Sequence, residues 1–261
     1  MLKILICFKI IDDTDELLAA DWLNLGTGIP DTSYVRRTLG CFDEAAIENA
    51  LRLKDLLEAE GESTHITACT INPGYSSHIL TVLSAVKIDR VVSINCEADL
   101  RFTPKTVADI LAEFVKENGP YDIIFTGSQT APGGSGAVPP FLAEKLGLPC
   151  VTELTEIILL QHGIRVGHAV NGGRCFRTVT KPFVCAVGNA KYSYLRIPTL
   201  RDKLKAKNFP FETIEMTVDV ADGGPVDLRR NAARRVCLFA PGESVREKAE
   251  FIYNEYLRGN L

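Results

Sequence analysis

Asp122-Ile-Ile-Phe-Thr-Gly127-Ser-Gln129-Thr130-Ala-Pro-Gly133-Gly134-Ser135-Gly136-Ala-Val138-Pro-Pro140 is the stretch on which the fold turns. Its first six residues form a short apolar run that ends in glycine. Pro139–Leu146 then has helical spacing and stops at Gly147. A strand, a glycine-rich loop and a helix in that order make part of a βαβ unit. Open parallel sheets bind ligands at the carboxyl ends of their strands, which is where this loop falls. Glycines with Ser and Thr let backbone N–H groups approach an anion, and the following helix adds its N-terminal dipole. The loop therefore reads as a phosphate or pyrophosphate cradle, with a flexible connection as the plainer alternative. It is neither a Walker A loop nor a G-x-G-x-x-G turn.

Working outward, the same alternation recurs. Lys3–Lys9, Thr64–Ile71 and Arg90–Ile94 have strand character. Asp43–Glu60, Ser76–Val86 and Thr103–Asn118 have helical spacing, with Pro104 in a first turn and Asn118-Gly119 as a stop. This order predicts an α/β fold: a Rossmann-like parallel sheet with helices on both faces and right-handed crossovers. From Val151 the pattern changes. Val151–Leu160, Gly163–Val170, Arg174–Val179 and Phe183–Val187 are strand-like, and Asn171-Gly172-Gly173 is a hairpin turn signal, so an antiparallel edge extension is expected. After Arg196 the chain is basic and less regular, with a polar Asp222-Gly223-Gly224-Pro225 loop. It ends in an amphipathic helix. Ser244 and Glu247 fit a capping box there, and Val245, Ala249, Ile252 and Tyr256 share a face. The expected organisation is an α/β domain over 1–195 and a C-terminal arm with a terminal helix over 196–261, the helix docking on this domain or on a partner subunit.

The charge balance of 29 basic against 33 acidic residues in 261, net −4, gives no case for nucleic-acid binding. No apolar run approaches the roughly 20 residues of a membrane span. The opening Met1–Ile10 stretch is interrupted by Lys9 and followed by acids, so it reads as a first strand rather than a signal peptide, which implies a reducing, cytoplasmic setting. None of the eight cysteines has C-x-x-C spacing, so no metal site is expected. Five of them, Cys7, Cys69, Cys150, Cys185 and Cys237, lie in or beside apolar runs and read as buried packing.

Two further features bear on chemistry. Gly133-Gly-Ser135-Gly-Ala137 approaches a nucleophile elbow. Ser135 stands eight positions after Gly127, however, and no histidine follows His168; His162 and His168 come too soon for the usual order. A serine hydrolase is therefore disfavoured, and no catalytic residue is assigned. Asp43 stands where its helix begins, either as a plain N-cap or as a group near the same sheet edge as the glycine loop.

The chain resembles the electron transfer flavoprotein beta subunit family, collinearly over about Lys3–Lys207. The carriers are the strand ending Cys7-Phe8-Lys9; the helix Asp43-Glu44-x-Ala-Ile-Glu-x-Ala-Leu-Arg-Leu-Lys54; Gly127-x-Gln129 with Gly133, Gly136 and Val138; Leu142-Ala-Glu-x-Leu-Gly-x-Pro149; Val166 through Asn171-Gly172-Gly173 to Pro182; and Arg196-x-Pro-Thr-Leu200 with Leu204-Lys205-Ala206-Lys207. The resemblance implies a fold of the adenine-nucleotide-binding type that holds AMP or FAD. It also implies an alpha-type subunit carrying FAD in a heterodimer, and a flavin-dependent dehydrogenase or oxidoreductase as redox partner. The nucleotide contacts it implies are Cys7, Gly40, Cys41, Phe42, Asp43, Thr70, Gly127, Gln129, Thr130, Gly133, Gly134, Ser135, Gly136 and Val138. Leu200, with Arg196, Arg201 and Lys203, matches the family's partner-docking loop; an apolar centre with a charged rim suits that role, and an ordinary solvated basic segment is the plainer reading.

The chain departs from the family in places. Gly40-Cys41 replaces Asn-Pro. Pro132-Gly-Gly134-Ser-Gly-Ala137 replaces Asp-Gly-Asp-Thr-Gly-Gln. His168, Asn171 and Cys175 replace Arg, Asp and Glu. His168 then becomes the flavin-facing candidate, as a pH-dependent charge or simply a hairpin histidine. The other reading of the whole chain is a stand-alone adenine-nucleotide-binding sensor of universal-stress type.

Overall fold

The computed structural model describes residues 1–18, 20–22, 30–72, 74, 76–160, 163–207, 209–218 and 237–258. In chain order its elements are β1 (Leu2–Cys7), β2 (Ile10–Asp12), β3 (Arg37–Leu39), α1 (Cys41–Ala59), β4 (Thr64–Ile71), α2 (Ser77–Ala85), β5 (Arg90–Asn95), α3 (Pro104–Asn118), β6 (Ile123–Gly127), α4 (Val138–Leu146), β7 (Cys150–Leu160), β8 (Gly163–Val170), β9 (Gly173–Val179), β10 (Phe183–Val187), α5 (Leu200–Ala206), β11 (Glu212–Glu215) and α6 (Val245–Ile252). The chain divides into two units, Met1–Val226 and Asp227–Leu261.

The first unit is built on a nine-stranded sheet in the order β11-β5-β4-β1-β6-β10-β7-β8-β9. Pairing is parallel from β11 through β7. It turns antiparallel only at β7-β8-β9. β1 explains why both faces are covered. Leu2, Ile4 and Ile6 enter one core with Ala46, Ile47, Ala50 and Leu51 of α1 and Leu80 and Leu83 of α2. Leu5 and Cys7 enter the other, with Ala108, Leu111 and Phe114 of α3 and Leu142 of α4. Residues alternate sides along a strand, so a strand buried on both faces must be apolar at nearly every position, as β1 is.

Three sequence expectations are corrected. The edge extension holds for β7-β8-β9, but β10 is no part of it. All five β10 residues are buried, and the strand sits between β6 and β7, parallel to both. Its unbroken Phe-Val-Cys-Ala-Val pattern is that of a central parallel strand. Second, α1 begins at Cys41 with Gly40 in the cap position, so Asp43 is not the cap but the third helical residue. Third, the segment after Arg196 is more regular than expected: it carries α5 and the parallel edge strand β11 within the first unit. A small sheet of β2 and β3 was also not anticipated.

Among the cysteines, Cys7, Cys69 and Cys185 are buried as expected and Cys150 is half-buried, but Cys237 is exposed. Burial pushes the Cys7 thiol up to about 12 and those of Cys69 and Cys185 well above the ordinary value, which leaves them inert packing groups. In the second unit, α6 has the anticipated capping box between Ser244 and Glu247. The Asp222–Pro225 loop and His162 lie outside the described residues. No helix among the described residues is long and apolar enough to cross a membrane.

Candidate nucleotide cleft and exposed loop

A cleft of ≈ 490 Å³ opens at the carboxyl ends of β1, β4 and β6. Its floor comes from Cys7 and Thr126, one wall from the β6–α4 loop, and the opposite wall from the β5–α3 loop, including Asp99, Arg101 and Phe102. The loop glycines have the geometry a cradle needs: Gly133, Gly134 and Gly136 all have positive φ. Phe102, itself at φ 63, lies against Gly133, where an added Cβ would stand 3.3 Å from its ring. Helices α1 and α4, whose N-termini bound the cleft, have no side-chain cap; α1 has first-turn N–H groups to satisfy, whereas Pro139 and Pro140 leave α4 with that of Val138.

Asp43 is the centre of the site's electrostatics. It is 4% exposed, and its Oδ2 has no hydrogen-bond partner among the described residues. Burial pushes its carboxyl up to about 7, against the pull of the Lys9 and Gly127 backbone amides and the Lys9 ammonium; the Thr130 hydroxyl lies nearby without closing a hydrogen bond to it. Thr126, Ser128 and Thr130 also point buried hydroxyl oxygens at the site without partners. Buried polar atoms are normally paired, and four of the eight unpartnered side-chain oxygens among the described residues gather in this one cleft. Gly127 has a separate reason to be glycine. An added Cβ would lie 2.9 Å from Asp43 Oδ1 and 3.1 Å from the Asp43 amide nitrogen. Gly127→Val is therefore expected to cost roughly 1–3 kcal/mol by forcing α1 off the sheet end. Urea unfolding measures this; an unchanged midpoint would contradict the packing argument.

Of the residues expected to touch a nucleotide, Cys7, Asp43, Gly127, Gln129, Thr130, Gly133, Gly134, Ser135, Gly136 and Val138 line the cleft. Gly40 lies behind it, where an added Cβ would reach Asp43 Oδ2 at 2.7 Å and Thr130 Oγ1 at 3.5 Å. Cys41, Phe42 and Thr70 do not line it, although Thr70 is buried with an unpartnered hydroxyl. The sequence reading missed Lys9, Ser128 and the whole 98–104 wall. The signal was present: β5 is a parallel strand, and the loop after it must reach the same sheet edge as the loop after β6. Ser135 accepts from the Ala137 N–H at 3.4 Å, and no described histidine lines the cleft. His168 is elsewhere. It lies half-buried on β8, separated from β1 and β6 by β10 and β7, with Nε2 3.2 Å from Arg177 Nη2. No group of three or more metal-ligating side chains occurs among the described residues.

The residues expected to dock a partner separate into two kinds. Leu200 opens α5 at 74% exposure, capped by Thr199, with Arg201 and Lys203 exposed beside it and Ile197 and Leu204 also exposed. Arg196 is instead engaged. Its guanidinium and backbone N–H donate to the buried Glu48 carboxylate, and Nη1 donates to Asp55 at 2.7 Å. It anchors the loop rather than offering a free charge.

Comparison with known proteins agrees with this arrangement. The model of the electron transfer flavoprotein domain matches residues 29–218. The chain is 31% identical to YgcR of Escherichia coli (strain K12), which carries the name of an electron transfer flavoprotein subunit, over 100% of this chain and 99% of that protein. It is 28% identical to the electron transfer flavoprotein subunit beta of Bacillus subtilis (strain 168), over 82% and 79% of the two chains. It is 26% identical to that of Syntrophomonas wolfei subsp. wolfei, over 81% and 79%. A stand-alone sensor finds no support among these relatives. From the domain match and the full-length similarity together, the chain belongs to the electron transfer flavoprotein beta subunit family.

Proposed function

We propose that this chain is the beta-type subunit of a heterodimeric electron transfer flavoprotein. It holds an adenine nucleotide, AMP or FAD, in the cleft, and it supports an alpha-type subunit whose FAD exchanges electrons with a dehydrogenase. The observation that carries this reading is the set of orphaned polar atoms in the cleft. Asp43 Oδ2 can accept a hydrogen bond, the three hydroxyls can donate or accept, and the glycine loop can bring amides to a phosphate. The residues present therefore fit a nucleotide. A flavin, when bound, supplies the redox chemistry. The chain's own residues bind, orient and exclude water.

Two surfaces suit partners. The exposed Leu200 with its cationic rim fits a dehydrogenase, by apolar anchoring and salt-dependent encounter. The second unit suits the alpha-type subunit: α6 exposes Val245 and Ile252, and Tyr253 and Tyr256 just after it are exposed as well. Co-expression with an alpha-type subunit from the same organism is expected to yield a stoichiometric yellow complex. Mass spectrometry of the molecules released on denaturation, with flavin counted per heterodimer, distinguishes one flavin plus AMP from two flavins. Absence of any stable complex, or of any adenine nucleotide in it, overturns the reading.

A further inference from the structure

Lys9 follows β1 into the cleft and is half-buried there. Among the described residues its ammonium makes no ion pair and no hydrogen bond. Burial lowers its pKa, while Asp43 and Asp12, and more weakly Asp99, favour its charge and Arg101 opposes it. Arg101, by contrast, already has a carboxylate partner: Asp99 holds its guanidinium in a fork, with Nη2 at 2.6 Å and Nε at 2.9 Å. A partly desolvated ammonium without an ion-pair partner is costly to maintain. The same cleft contains the complementary orphan, Asp43 Oδ2. The two attract one another but do not close an ion pair, so each is open to a separate group of one ligand.

We propose that Lys9 is the anion anchor of this cleft: its ammonium takes a phosphate oxygen of the nucleotide, while Asp43 Oδ2 accepts a hydrogen bond from a sugar hydroxyl or exocyclic amine of the same molecule. This rests on the nucleotide reading above. Free phosphate leaves Asp43 unpaired and repelled, and a nucleoside leaves Lys9 unpaired. A nucleoside phosphate satisfies both. AMP and FAD share that moiety, so the assignment holds for either.

The test titrates AMP, FAD and adenosine separately into the full chain by calorimetry. The chain is purified with any alpha-type subunit that accompanies it and dialysed free of nucleotide. Lys9→Met is expected to weaken AMP about tenfold to a hundredfold, the size of a lost charge-assisted contact, and to leave adenosine within about twofold. Lys9→Arg should recover most of the AMP affinity, which separates charge from fold. Added salt should weaken AMP less in Lys9→Met than in the parent. AMP binding unchanged by Lys9→Met, or AMP and adenosine losing affinity equally, overturns the assignment and leaves the nucleotide reading standing. A parent protein that binds neither AMP nor FAD overturns both.

Discussion

Arg196→Ala is expected to lower the unfolding free energy by about 2–4 kcal/mol and to loosen the loop that presents Leu200. Glu48 is the reason. Its side chain is only 2% exposed, and it accepts from the Arg196 backbone N–H at 3.0 Å, from Nε at 3.0 Å and from Nη2 at 3.2 Å. Arg52 reaches its other side at 2.8 Å. Removing the Arg196 fork leaves a buried carboxylate with much of its compensation gone. Arg196→Lys should recover less than half, because one ammonium cannot span Glu48 and Asp55 together. The double variant Glu48→Leu, Arg196→Met should recover most of the stability, since an apolar pair carries no buried charge. Leu200→Glu offers the contrast. At 74% exposure it should change stability by less than about 0.5 kcal/mol while removing dehydrogenase coupling. Thermal melts with hydrogen exchange over 194–200 decide the matter. Arg196→Ala melting with the parent, with exchange unaltered, would show that the anchor contributes nothing.

Asp43→Asn is expected to stabilise the ligand-free protein and to weaken nucleotide retention. The carboxyl is raised by burial from 3.8 to about 7, and at about 1.4 kcal/mol per unit this bounds the effect near 4 kcal/mol. Below about pH 4 the group is protonated folded and unfolded, and it carries no penalty. As pH rises from there to about 7, the unfolded chain releases a proton that the folded chain keeps, so stability falls. Above that the penalty is complete. Asn stays neutral throughout, so its gain of roughly 1–3 kcal/mol should be full at pH 8, about a third of that at pH 5 and absent below about pH 4. A gain of the same size at pH 8 and pH 5 would place its origin outside this ionisation. AMP should weaken about tenfold through loss of a charged acceptor. Stability set against binding at one buried residue is the pattern of a group kept for its ligand.

Much of this was legible beforehand. Strand–loop–helix order, apolar runs and the glycine loop foretold the parallel sheet, the ligand edge and most of the cleft. These are local properties, and the parallel-sheet rule converts them into a place. The continuous apolar pattern of β10 was also legible, but its partners were not. Five apolar residues state that a strand is buried on both faces and do not state between which neighbours, because pairing depends on contacts distant in the chain. Asp43 shows the same division. Its identity and its position near a helix start are in the sequence. Its desolvation arises only when α1 is pressed against Gly127 and the end of β1. Arg196 and Lys9 divide in the opposite sense from their appearance. Arg196 stands in a basic segment yet is tied to Glu48, 148 residues away in the chain. Lys9 interrupts an apolar run yet has no partner among the described residues. Periodicity and motif spacing are short-range, and they are enough for the fold class, the family and the sheet edge at which a ligand is expected. Pairing and burial are set by chain segments that meet only after folding, so which charges neutralise one another and which stay open is a property of the folded chain.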